Sequence, residues 1–141
     1  MFFKREPEKT VLCLCVENAG RSQIAEGFFN KYAPKRYRAI SAGTKPVPKI
    51  NPMAVEVMKE VGIDISNQIS KDITEDVVRN STYIVNMGCM ENESCPILFL
   101  HNLLDWSIED PKGKSVEKVR EIRDEIEQRV KEMVASIKAS Q

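Results

Sequence analysis

The stretch TVLCLCVENAGRSQIAEGFF, residues 10–29, decides the fold. Thr10 to Cys15 is an apolar run too short for a helix and rich in strand-compatible residues, so it reads as a buried strand. Glu17, Asn18, Ala19 and Gly20 are loop chemistry. From Arg21 the pattern turns helical, with Ile24, Phe28 and Tyr32 on one face until Pro34 forbids continuation. The unit is strand, tight loop, helix.

Downstream the alternation repeats. Tyr37 to Ser41 reads as a second short strand, ended by Gly43 and the prolines at 46 and 48. Asn51 then supplies an N-cap with Pro52 at the first helical position; Ala54, Val57, Met58 and Val61 form an apolar face before Gly62 closes the helix. Thr74, Glu75 and Asp76 open a further helix of about two turns, with acidic residues where the macrodipole favours them. Ser81 to Met87 carries a third strand around Tyr83, Ile84 and Val85, and Pro96 to Leu100 a fourth. From Val116 to Ile137, apolar residues at 119, 122, 126, 130, 133 and 137 alternate spacings of three and four, the mark of a long amphipathic helix. Its charges, including the Glu125/Arg129 and Glu127/Lys131 pairs, read as a solvated face. Strands alternating with helices predict an α/β fold of three layers, a short parallel four-stranded sheet flanked by helices. The 141 residues suffice for one domain with an apolar core and not for two, so residues 1–141 are expected to form a single domain, with 1–9 a flexible N-terminal extension.

Composition narrows the function. With 42% hydrophobic and 30% charged residues, the chain has the make-up of a globular domain. Lys plus Arg and Asp plus Glu both number 21, so there is no global positive field for nucleic acid or an anionic membrane, although a local anion site is compatible. The first residues, MFFKREP, lack the apolar segment of a signal peptide, and no stretch approaches the roughly 20 apolar residues of a membrane span. A cytoplasmic location is expected, and there four cysteines against one histidine point to metal binding or redox catalysis rather than to disulfide staples.

Cys15 ends a buried strand, and Arg21 opens the following helix at the spacing C-x5-R. Successive backbone N–H groups in such a loop converge on one point, the helix N-terminus adds partial positive charge, and a guanidinium grips two oxygens at once. Residues 17–22, Glu17, Asn18, Ala19, Gly20, Arg21 and Ser22, are therefore the candidate cradle of a tetrahedral oxyanion. The same field favours the Cys15 thiolate, the nucleophilic form. Ser22 is placed to donate a hydrogen bond to the sulfur, and Asn18 suits a left-handed turn. A buried cysteine is commonly a small hydrophobe. That is the reading for Cys13, which sits inside the strand, but not for Cys15 in its loop context.

At these residues the chain resembles the low-molecular-weight tyrosine phosphatase superfamily, and within it the thioredoxin-coupled arsenate reductase branch. CVENAGRSQIAE at 15–26, Ser41-Ala-Gly43, VGIDIS at 61–66 and Asp110-Pro-Lys-Gly113 all follow that pattern. The resemblance implies a low-molecular-weight phosphatase fold, Cys15 as nucleophile, Arg21 as oxyanion clamp and Asp110 as proton donor to the leaving oxygen. On spacing alone, Asp110 before proline would be a turn residue.

Cys89 and Cys95, in the polar run CMENESCP at 89–96, separate the branches. The resemblance implies a thiol relay: attack of Cys15 on arsenate, a Cys15–Cys89 disulfide as arsenite leaves, then a Cys89–Cys95 disulfide reduced by thioredoxin as external reductant. A zinc site is disfavoured because His101 is the only histidine, and no tightly bound cofactor is expected. The phosphatase branch commonly has aromatic residues after Asp-Pro; Lys112 and Gly113 here favour a small inorganic substrate, arsenate, with phosphate or sulfate as mimics. Glu17 is expected to point away from the anion. Some reductases of this kind bind potassium through Asn, Glu, Ser and Asp. Asn18, Glu26 and Ser41 match the first three, and Lys71 stands at the fourth, where its ammonium is expected to replace the ion. The alternatives are a phosphomonoesterase and a non-enzymatic thiol redox sensor, the latter leaving the Arg21 loop unexplained. A monomer is expected.

Overall fold

The computed structural model describes residues 8–88 and 103–140. β1 (Lys9–Cys15), α1 (Arg21–Tyr32), β2 (Tyr37–Gly43), α2 (Pro52–Glu60), α3 (Glu75–Arg79), β3 (Tyr83–Asn86), β4 (Leu103–Asp105) and α4 (Val116–Ala139) follow one another in the chain. Among the described residues the sheet has four parallel strands in the order β2-β1-β3-β4. The α/β expectation therefore holds.

Strand alternation divides the core. Val11 and Cys13 face one side with Ala39 and Val85, packed by α1 and α4 through Ile24, Phe28, Ile122 and Ile126 and by α2 through Ala54 and Met58. Leu12, Leu14, Ala42 and Ile84 face the other side, covered by Ile73, Val77 and Val78 around α3. β1 is central and buried on both faces, which is why its sequence is continuously apolar.

The caps act as their residue types predict. Asn51 Oδ1 accepts from Met53 N at 2.9 Å with Pro52 opening α2, Thr74 Oγ1 accepts from Val77 N at 3.1 Å, and Gly62 takes φ +81° after α2. Boundaries differ in several places, among them β3, which is Tyr83–Asn86 rather than Ser81 to Met87, and α4, which runs on to Ala139. Lys9 belongs to the sheet rather than to the N-terminal extension: it pairs with Tyr37, and its N–H donates to Arg36 O at 2.6 Å. β2 runs on to Gly43 because Ala42 and Gly43 find partners in Leu14 and Cys15. α3 has five residues, fewer than two turns. The strand expected at Pro96 to Leu100 lies outside the described residues; the fourth strand described is β4.

The charges of α4 are not all solvated. Arg123 is buried, its guanidinium donating to Val57 O at 3.0 Å and Glu60 Oε1 at 2.8 Å at the C-terminal end of α2, whose free carbonyls and negative dipole end attract a cation. Arg120, and then Arg123, hold the Glu60 carboxyl below its ordinary value, so this contribution is present at neutral pH and is lost as pH falls through that lowered value. Arg123→Met should cost about 2 kcal/mol in urea unfolding at pH 7. The penalty should shrink once the pH is well below the ordinary glutamate range of about 4.3.

Candidate active site

β1 delivers Cys15 to the C-terminal edge of the sheet, 2% exposed, and residues 16–20 loop back into α1. Five successive carbonyls of this segment are held from outside. Val16 O accepts from Lys45 N at 2.8 Å, Glu17 O from Val47 N at 3.1 Å, Asn18 O from Gln23 Nε2 at 2.9 Å, Ala19 O from Asn51 N at 2.9 Å and Gly20 O from Ile24 N at 2.9 Å. In trans peptides the N–H groups of residues 17–21 point opposite to those carbonyls. The result is a backbone nest at the head of α1, a geometry suited to an anion.

Asn18 anchors it, at φ +50° and fully buried. Its Nδ2 donates to Ser22 Oγ at 2.7 Å and its Oδ1 accepts from Lys71 N at 2.9 Å. Ser22 Oγ lies 2.8 Å from Cys15 Sγ. Because that oxygen already accepts from Asn18, its single proton is available to the sulfur. Gly43 lies against the loop with no room for a side chain: a Cβ there would stand 2.5 Å from Val16 O and 2.9 Å from Asn18 N. Cys13 lies in the core, where burial above all pushes its thiol well up, so it stays protonated and packs as expected.

A cavity of about 410 Å³ opens over the loop, lined by Cys15, Glu17 and Arg21 from the loop side, Val47 and Pro52 from the approach to α2, and Asp110 and Lys112 from the segment before α4. The structure thus brings together Cys15, Arg21 and Asp110, which are 95 residues apart at the extremes of Cys15 and Asp110. Arg21 Nη1 donates to Ile108 O at 3.0 Å, and its Nη2 lies 3.9 Å from Asp110 Oδ2. Asp110 accepts from Lys112 N at 3.0 Å in a tight turn. Glu17 lines the cavity rather than turning wholly away, and its carboxylate is met by Lys112 Nζ at 3.0 Å, which offsets the charge an incoming anion would otherwise face. Cys89 and Cys95 lie outside the described residues.

On the flank of α1, Ser41 Oγ donates to Glu26 Oε1 at 2.8 Å, and Lys71 Nζ stands 3.9 Å from the same oxygen while donating to Ile69 O at 2.8 Å. Sequence reasoning missed Gly88, Ile108 O, Gln23 and Gln68. Gln68 Nε2 donates to Gln23 Oε1 at 2.8 Å, tying the 66–71 segment to the loop. The only available signal was a glutamine on an otherwise apolar helix face and a glycine directly before Cys89.

A cysteine and an arginine thus bracket one strand-to-helix loop in a parallel α/β domain, both lining one cavity. The chain belongs to the low molecular weight phosphotyrosine protein phosphatase family, which matches residues 10–141. Its relatives include an arsenate reductase of Brevibacillus brevis, 39% identical over 127 residues, covering 89% of this chain and 94% of that protein. Among solved structures, the thioredoxin-dependent arsenate reductase of Corynebacterium glutamicum superposes with TM-score 0.80 at 39% identity; the match covers 96% of this chain and 64% of that longer one. An arsenate reductase in its phosphate-binding state gives TM-score 0.81 at 33% identity, covering 92% of this chain and 98% of the other. Among the described residues, no helix is long and apolar enough to cross a membrane and no cluster of three His, Cys, Asp or Glu residues could hold a metal.

Proposed function

We propose that the chain reduces arsenate to arsenite. The observation that carries this reading is the convergence of the nest, the Ser22-supported Cys15 sulfur and Arg21 on one cavity, in a chain whose relatives are named arsenate reductases. The Cys15 thiolate attacks As(V), and an oxygen leaves as water with a proton from Asp110, which lines the same cavity. Cys89 then attacks the Cys15 sulfur; the S–As bond breaks, its electron pair stays on arsenic as As(III), and a Cys15–Cys89 disulfide forms. Attack of Cys95 on Cys89 frees Cys15 and leaves a Cys89–Cys95 disulfide for thioredoxin, the reductant named for the Corynebacterium relative. Arsenate, thioredoxin, thioredoxin reductase and NADPH should together give arsenate-dependent NADPH oxidation. No arsenate-dependent oxidation would sink the reading.

A second reading, phosphomonoester hydrolysis, is favoured by the breadth of the cavity, whose Val47 and Pro52 wall extends beyond what a bare oxyanion fills. It shares the first step and needs neither Cys89 nor Cys95. The protein is taken to act as a cytoplasmic monomer, which size-exclusion chromatography checks for the oligomeric state.

Lys71 is assigned the place of a potassium ion beside Glu26 and Ser41. Exchanging potassium for sodium at constant ionic strength should therefore change kcat/KM for arsenate by less than about 2-fold, since an ammonium already supplies the charge. A steep rise with potassium would refute the substitution.

A further inference from the structure

We propose that Gly88 is a positioning residue that seats the Arg21 guanidinium for oxyanion capture. The proposal rests on the reading of Arg21 as the clamp. Gly88 follows β3 with φ +147°, a conformation that L side chains rarely adopt. A Cβ built on it would meet Arg21 Nη1 at 2.6 Å and both Cζ and Nη2 at 2.9 Å. The guanidinium therefore lies directly against this backbone, with the Ile108 carbonyl holding Nη1 at 3.0 Å.

The seat is itself fixed. Gly88 N–H donates to Asn86 Oδ1 at 3.1 Å, and Asn86, 1% exposed, donates from Nδ2 to Asp105 Oδ1 at 3.1 Å on β4. β3 and β4 thus anchor the backbone that the guanidinium touches. A flexible arginine has many rotamers, and a pre-set one loses less freedom on gripping two oxygens of a tetrahedral anion. A side chain at position 88 has an easy escape, because the atoms it strikes are the far end of Arg21. That escape moves the clamp, so beyond the backbone strain of a side chain at φ +147° the damage falls on binding.

Inorganic phosphate is the probe, because its binding needs the nest and Arg21 but no thiol relay. Titration calorimetry on the full chain should show Gly88→Ala weakening phosphate by at least about 10-fold, the order of a lost charge-assisted hydrogen bond. In the Arg21→Ala background the same change should cost less than about 2-fold, since the displaced group is gone. Wild-type affinity in Gly88→Ala, or an equal loss in both backgrounds, would overturn the proposal. If Gly88→Ala does not fold, the collision requires that Gly88→Ala/Arg21→Ala regain part of the lost melting temperature; no regain also overturns it. Unchanged phosphate affinity in Arg21→Ala alone would instead remove the clamp reading. Arsenate turnover is not used in the test, so failure of the reductase assignment would be seen separately.

Discussion

Cys15→Ser is expected to abolish arsenate-dependent NADPH oxidation, a loss of about 10⁴-fold or more, and to abolish phosphate-ester hydrolysis with it. A serine hydroxyl at that position is not ionised near pH 7, and Ser22 with Asn18 cannot make it so. An oxygen also cannot enter a disulfide, so the electrons that must reach arsenic have no path. Cys89→Ser should separate the two activities. It leaves the Cys15 attack intact and removes the thiol that resolves the adduct, so arsenate turnover falls as far as in Cys15→Ser while any hydrolysis of p-nitrophenyl phosphate persists. Cys95→Ser should lose thioredoxin-coupled turnover as well. Full turnover in Cys95→Ser would dismiss the third thiol, and full arsenate turnover in Cys89→Ser would dismiss the relay.

The second large effect is at Arg21. Arg21→Lys should lower kcat/KM for arsenate by about 10²–10³-fold, or roughly 3–4 kcal/mol of transition-state stabilisation. The charge is kept, but a lysine ammonium is a point donor that cannot grip two oxygens side by side, nor lie flat on the backbone between Gly88 and the Ile108 carbonyl. Phosphate affinity should fall in the same variant. Steady-state kinetics with arsenate and calorimetry with phosphate check both; a loss under 5-fold in each would mean that charge alone serves.

What could be read from the sequence was what depends on near neighbours. The β1–loop–α1 unit, the Asn51 and Thr74 caps and the α4 stripe are set by residues within a few positions of one another, and each formed where its pattern placed it. Cys15, Arg21 and Ser22 belong to the same class, since six or seven positions of chain suffice to bring them together. Partnerships between distant segments were not legible. Arg123 looked like any other charge on a polar helix face, and only the approach of the α2 terminus buries it. Lys112 meets Glu17 across 95 positions, and nothing in either residue type announces the other. Gly43 and Gly88 matter for the Cβ they lack, and a sequence shows the missing atom without showing what occupies its place.

The five outward-held carbonyls have a consequence for how the enzyme fails. Their donors come from residues 23, 24, 45, 47 and 51, so the nest is a junction of the α1 start with the whole crossing from β2 to α2. Such a junction cannot loosen piece by piece without releasing the segments that define the fold on that side of the sheet. The amide protons of Lys45, Val47 and Asn51 should accordingly exchange with solvent together, and on warming, anion affinity and tertiary structure should disappear in a single transition.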